Sequence, residues 1–105
     1  MTTPVVGAIT PTEFQARRQA GAQFFLLDVR EPAEVAAASV ALAVHIPMGE
    51  VPARLAEIPR DREVVVMCHA GGRSLRVANF LAGEGIQPVT NLTGGITAWA
   101  AELGL

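Results

Sequence analysis

The 105-residue sequence predicts an α/β fold of three layers, a mainly parallel central sheet of about five strands flanked by helices. Two short apolar runs, Gln23–Val29 and Glu63–Met67, read as strands buried on both faces. Helical start signals and helical spacing of apolar residues fill the segments around them. Strands alternating with helices imply right-handed crossovers, and so a parallel sheet covered on both sides.

Taken in order, residues 1–8 are either an N-terminal extension or a first strand. Thr10-Pro11-Thr12-Glu13 opens a helix, with Thr10 as N-cap, Pro11 as first helical residue and Glu13 as reciprocal partner. It runs to about Ala20, with Gly21 just beyond its end. The strand Gln23–Val29 follows, and Glu31-Pro32 begins a short helix through Ala38. Ala43 to Ile46 is a weaker strand ending at Pro47, and Val51 to Ile58 is read as another helix. Three consecutive valines make Glu63–Met67 the clearest strand. Ser74 to Ala82 is helical, with Leu75, Ala78 and Leu81 or Ala82 on one face and Gly83 ending it. Gln87 to Asn91 forms a last strand, and Ile96 to Leu103 a final helix.

Half of the residues are hydrophobic and 17% are charged, a composition that supports one domain with a real core. The net charge is -2 and every basic residue is arginine, without the clustering that nucleic-acid binding requires. Arg17-Arg18 is an isolated pair on a solvated helix face. One cysteine forms no internal disulfide, and with His45 and His69 the only histidines, no metal or other cofactor is expected. MTTPVVGAIT lacks the basic-then-apolar pattern of a signal peptide, and no stretch approaches transmembrane length. The expected setting is the cytoplasm.

The lone cysteine opens CHAGGRS, residues 68–74, immediately after the clearest strand. In open parallel sheets, ligands sit at the carboxyl ends of strands. A buried cysteine in such a place is often no more than a small hydrophobe. The neighbours permit a second reading. Gly71 and Gly72 allow backbone angles that turn successive N–H groups inward, and the helix starting at Ser74 adds free N–H groups and a positive partial charge. A thiolate at Cys68 would be stabilised inside that ring. The Ser74 hydroxyl is placed to donate to the sulfur, and Arg73 to hold an anion at the rim. The side chain of His69 is expected to point away from that of Cys68, so His69 is not read as a base.

Three stretches together resemble the single-domain rhodanese, or sulfurtransferase, family over Ile9 to Leu103: LLDVREPAEV (26–35), CHAGGRS, and NLTGGITAW (91–99). The resemblance implies a rhodanese-like fold over residues 1–105 and a catalytic Cys68 that carries sulfane sulfur as a persulfide. It implies that the backbone N–H groups of His69, Ala70, Gly71, Gly72, Arg73 and Ser74 stabilise the sulfur. Arg73 would also bind an anionic donor such as thiosulfate. Expected partners are small-molecule sulfur donors and acceptors, including a thiol or a thioredoxin-like protein, with oligomeric state open. Asp28 is read as satisfying loop N–H groups, and Arg30 as pairing with Glu31 or Glu34. Gly94 and Gly95 permit close approach to the active loop, and Trp99 packs the last helix.

Where the family often carries a Gly-His-Ile-x-Gly-Ala stretch, this chain has Ala38-Ser39-Val40-Ala41-Leu42-Ala43, with Ser39 a candidate substitute for the histidine's hydrogen bonding. Two rival functions stand beside sulfur transfer. One is a phosphatase or arsenate reductase, although only four residues here separate Cys68 from Arg73 where those enzymes usually have five. The other is a sulfur-relay or binding module without turnover of thiosulfate.

Overall fold

The computed structural model describes residues 5–105. Five parallel strands form one sheet, β1 (Val6–Ile9), β2 (Phe24–Asp28), β3 (Val44–His45), β4 (Glu63–Met67) and β5 (Val89–Leu92), in the order β1-β5-β4-β2-β3. The helices are α1 (Pro11–Gln19), α2 (Pro32–Ala37), α3 (Gly72–Gly83) and α4 (Gly95–Glu102). Residues 5–8 of the ambiguous N-terminal segment include the start of a true first strand, whereas 1–4 lie outside the described residues.

Alternation along β4 divides the core in two. Val64, Val66 and Cys68 face one side with Val77, Ala78 and Leu81 of α3. Val65 and Met67 face the other with Phe14 of α1 and Ile96 and Trp99 of α4. Trp99 meets Phe14 at 5.6 Å between ring centroids, and Phe14 meets Phe24 at 4.8 Å, which locks the terminal helix against the first one. The capping box at α1 forms as the residue types dictate. Thr10 Oγ1 accepts from the Glu13 amide at 3.1 Å, and Glu13 Oε1 accepts from the Thr10 amide at 2.9 Å.

Several expectations need correction. The segment read as a helix over Val51 to Ile58 consists of 3-10 turns, Met48–Glu50 and Pro52–Glu57, broken at Arg54, where φ is -117° and ψ is 23°. Proline at 52 removes an amide that a continuous α-helix from 48 would use. Helix α3 starts at Gly72, two residues before Ser74, because Gly71 adopts φ 114° and serves as a left-handed cap. The buried face is consequently Ser74, Val77, Ala78, Leu81 and Ala82, and Leu75 is exposed. That set has the i, i+3, i+4, i+7, i+8 spacing of one continuous stripe.

Arg30 pairs with Asp28, not with Glu31 or the Glu34 carboxylate. Its Nε lies 3.0 and 3.2 Å from the two carboxylate oxygens and its Nη2 lies 2.8 Å from Oδ2. Asp28 accepts one loop amide as expected, that of Arg30 itself at 3.1 Å. Two further guanidinium protons go to the carbonyls of Glu34 (3.2 Å) and Ala38 (2.7 Å), which tie the middle of α2 and the residue that caps its carboxyl end to the end of β2. Just past the segment that departs from the family pattern, His45 adds a polar contact to this corner, its Nε2 2.6 Å from the Arg30 carbonyl.

Asp28 and Arg30 are 1% and 2% exposed, so neither charge is solvated apart from its partner. Asp28→Ala should therefore cost about 3–5 kcal/mol through the unpaired buried guanidinium, read as a lowered urea midpoint. A cost below about 1 kcal/mol would show that the corner is not held by this pair.

Candidate active site

The site grows out of the carboxyl end of β4. Cys68 follows Met67, the last strand residue, and its side chain falls on the α3 side of the sheet. The chain must then turn into α3 within a few residues. Gly71, at φ 114°, makes that turn in a region that L-residues rarely enter. Gly72 has no positive φ and open space where a side chain would be, so only one of the two glycines is required by the backbone. With the turn made, the Gly71 amide donates to Cys68 Sγ at 3.0 Å.

Helix α4 fixes the loop from behind. The amides of Ile96 and Thr97 donate to the carbonyls of Cys68 (2.8 Å) and His69 (3.1 Å). With those carbonyls turned toward α4, the amides that follow are free to face the sulfur. Such proximity excludes a side chain at 95. A Cβ on Gly95 would stand 2.3 Å from the Cys68 carbonyl oxygen and 2.6 Å from that of His69. Gly95, at φ 57°, thus permits the close approach that the sequence implied, whereas a Cβ on Gly94, at φ 78°, would meet Ala98 of α4 and not the loop.

Cys68 is 1% exposed, and burial alone would push its thiol up. The Ser74 hydroxyl and the amides of Ser74, Gly71 and Ala70 outweigh burial and bring the group below its ordinary value. Ser74 is fully buried, and its single hydroxyl proton has competing acceptors. In this structure it lies 2.6 Å from Asn91 Oδ1 and 3.1 Å from the Gly71 carbonyl, so the expected donation to sulfur is not the bond formed. The serine still faces the cysteine, and a full thiolate is a stronger acceptor than a neutral amide oxygen.

His69 and Ala70 are exposed, consistent with a histidine side chain directed away from the sulfur. Arg73 is about one-third exposed and reaches across to α2, where Nη1 and Nη2 meet Glu34 Oε1 and Oε2 at 2.6 and 2.8 Å. The Arg73 guanidinium, helped by the Glu31 amide, holds the Glu34 carboxyl down at about 2. Arg73 is raised in turn, with Glu34 the main cause. The structure thus gathers Cys68, Ala70, Gly71 and Ser74 around one sulfur atom. It places Arg73 at the rim already engaged.

Two residues that the sequence did not place at the site belong to this neighbourhood. Asn91 holds Ser74 and, at 3.4 Å, the Gly71 carbonyl. Its position beside Val66 of β4 was implicit in the strand pairing, but its partner was not. Glu34 was read in the sequence only as a candidate partner of Arg30, and pairs with Arg73 instead. Among the described residues, no group of three His, Cys, Asp or Glu side chains is arranged to hold a metal ion, and no helix is long and apolar enough to cross a membrane.

The structure thus sets a buried cysteine, with an amide donating to its sulfur, at the carboxyl end of the central strand of a parallel sheet, where open α/β sheets bind ligands. The chain belongs to the Rhodanese-like domain family, whose sequence profile matches residues 10–102, and so to a family of sulfurtransferases. It is 45% identical over 75 residues to a protein named Sulfurtransferase from Allochromatium vinosum, covering 71% of this chain and 70% of the relative. It is 32% identical over 91 residues to the thiosulfate sulfurtransferase GlpE of Pseudomonas syringae, covering 87% and 84%. The crystal structure of a rhodanese-like domain protein from Staphylococcus aureus superposes with TM-score 0.83 at 29% identity, covering 90% of this chain and 91% of that one.

Alkylation of Cys68 by iodoacetamide, followed against pH, should titrate below the ordinary thiol value, since the lowered group is already thiolate there. Ser74→Ala should move that midpoint upward by removing a donor to the thiolate. An unmoved midpoint would show that the amides alone set it.

Proposed function

We propose that this protein is a sulfurtransferase that moves a sulfane sulfur through a persulfide on Cys68. The observation that carries this reading is the 3.0 Å bond from the Gly71 amide to a cysteine sulfur that is almost wholly buried. Burial without donors would keep the thiol neutral and inert, whereas donors aimed at the sulfur favour the anion that attacks.

In the first half-reaction the Cys68 thiolate attacks the outer sulfur of a donor such as thiosulfate. The donor's S–S bond breaks, its electron pair leaves with sulfite, and the cysteine becomes a persulfide. In the second, an acceptor nucleophile, cyanide or a thiolate, attacks the outer sulfur of that persulfide. The new S–S bond breaks in its turn and Cys68 leaves as thiolate. No oxidant or reductant is needed, and the two steps are ping-pong. The amides of His69 to Ser74 stabilise the anion on sulfur in both resting states, and Arg73 orients an anionic donor.

A small thiol or a thioredoxin-like protein suits the acceptor role, because the loop lies at an open strand end. The single, unpaired cysteine suits a reducing compartment such as the cytoplasm. A sulfur-relay role without turnover of thiosulfate is the second reading, favoured by the engagement of Arg73 with Glu34. Phosphatase or arsenate chemistry fits less well, since only four residues separate Cys68 from Arg73 where those enzymes usually have five, and a shorter ring suits one sulfur better than a tetrahedral oxyanion.

Incubation with thiosulfate should add the mass of one sulfur to the protein and release sulfite, and Cys68→Ser should abolish both. Sulfur uptake by the serine variant would overturn the persulfide mechanism. Arg73→Ala should raise the KM for thiosulfate roughly tenfold, the worth of one charge-assisted contact, with little change in cyanide dependence. Equal losses on both substrates would mean a collapsed loop.

A further inference from the structure

Asn91 of β5 touches two of the groups that surround the sulfur. Its Oδ1 lies 2.6 Å from the Ser74 hydroxyl, and its Nδ2 lies 3.4 Å from the Gly71 carbonyl. The second contact fixes which way the side-chain amide points. A carbonyl only accepts, so Nδ2 faces Gly71 and Oδ1 is left facing Ser74. Oδ1 has no proton to give, so the serine hydroxyl must donate to it. Ser74 is fully buried, with one proton and three acceptors around it: Asn91 Oδ1, the Gly71 carbonyl at 3.1 Å and the Cys68 sulfur. The Gly71 carbonyl already accepts the Leu75 amide at 3.2 Å. The contest for the proton is therefore chiefly between a neutral amide oxygen and the sulfur.

We infer that Asn91 is a positioning residue that competes with Cys68 for the Ser74 proton, keeping it from the neutral thiol and yielding it to the anion. The inference rests on the role proposed for Cys68. A neutral thiol is a weak acceptor and loses to the amide oxygen, whereas a thiolate wins. Breaking the Ser74–Asn91 bond offsets part of what the new bond to sulfur contributes, which limits how far the loop stabilises the anion. The two half-reactions respond in opposite senses. A less stabilised thiolate attacks a donor faster, and a more stabilised one departs from a persulfide faster. Asn91 sets the balance between them. The charges nearby are matched among themselves. Arg73 of α3 pairs with Glu34 of α2, Asp28 with Arg30 at the end of β2, and Glu50 with Arg54 in the 3-10 turns. Glu102 of α4 accepts from Thr12, Glu31, His69 and Arg76 are exposed, and β5 carries no ionisable side chain.

The test follows alkylation of Cys68 by iodoacetamide against pH in wild type, Asn91→Leu, Ser74→Ala and the double variant. Leucine keeps roughly the volume of asparagine and removes its oxygen. Asn91→Leu should lower the midpoint by roughly half to one pH unit, opposite in sign to Ser74→Ala, because the hydroxyl then donates to the anion unopposed. In the Ser74→Ala background the same substitution should do nothing, since no proton remains to compete for. A merely structural asparagine behaves differently: losing its bond to the Gly71 carbonyl loosens the loop and raises the midpoint in both backgrounds. With Cys68 fully ionised, Asn91→Leu should slow sulfur uptake from thiosulfate about two- to threefold and speed discharge to cyanide. Equal slowing of both steps would overturn the inference, as would an unchanged or raised midpoint, or a shift that persists without Ser74. Should the leucine variant fail to fold, nuclear magnetic resonance on folded protein decides. The Asn91 side-chain amide should follow the Cys68 titration in wild type and not in Ser74→Ala, and the same response in both would overturn the inference. Should wild-type Cys68 take up no sulfur, the persulfide reading falls alone, because the alkylation midpoints do not depend on sulfur transfer.

Discussion

Two hydrogen bonds organise this molecule, those from the first amides of α4 to the carbonyls of Cys68 and His69. They turn the peptide planes of the cysteine loop so that carbonyls point to α4 and amides point to sulfur. Everything chemical about the site follows from that orientation. The bonds in turn require Gly95, where any side chain would collide with the two carbonyls. They also require α4 to be seated, which Trp99 secures against Phe14 on the far side of the sheet. An aromatic contact in one core layer thereby governs the charge state of a thiol in the other.

A second framework runs along the carboxyl edge of the sheet. Asp28 anchors Arg30, Arg30 anchors α2 at Glu34 and at its cap Ala38, and α2 presents Glu34 to Arg73. Helix α2 buries none of its own residues, so hydrophobic burial does not place it. Its position is set by the polar corner at Arg30 and by the ion pair at Glu34. The buried half of this chain of contacts is rigid because neither member can be hydrated separately. The exposed half, between Glu34 and Arg73, is exchangeable with solutes.

How much of this was legible in the sequence depends on the range of the interaction. The strands at 24–28 and 63–67, the capping box at Thr10 and the turn at Gly71 are written in local chemistry, and the structure contains them all. The position of Cys68 at the end of the central strand was also readable, from an apolar run followed by glycines. The face of α3 was misread because its start depends on Gly71 taking a left-handed angle, which shifts the stripe from Leu75 to Ser74 and Val77. Arg30 was assigned to Glu31 or Glu34 and Arg73 to an anionic donor. Arg30 instead takes Asp28 on its own strand end, and packing α2 across the end of the sheet gives Glu34 to Arg73. The proton of Ser74 was expected on sulfur, but Asn91, seventeen residues away, intercepts it.

The order of the sheet also bears on when the site comes into being. Strand β1, the first in sequence, pairs only with β5, whereas β2 pairs with β4 through a much shorter loop. Loop-closure entropy favours the β2–β4 pairing early and delays the closure of β1 on β5. The helix whose amides orient the cysteine loop is later still in the chain. During synthesis from the amino end, Cys68 is therefore made before α4, whose amides orient its loop. In a nascent chain the donors around the sulfur are not yet held in place, and the closing segment is what fixes them.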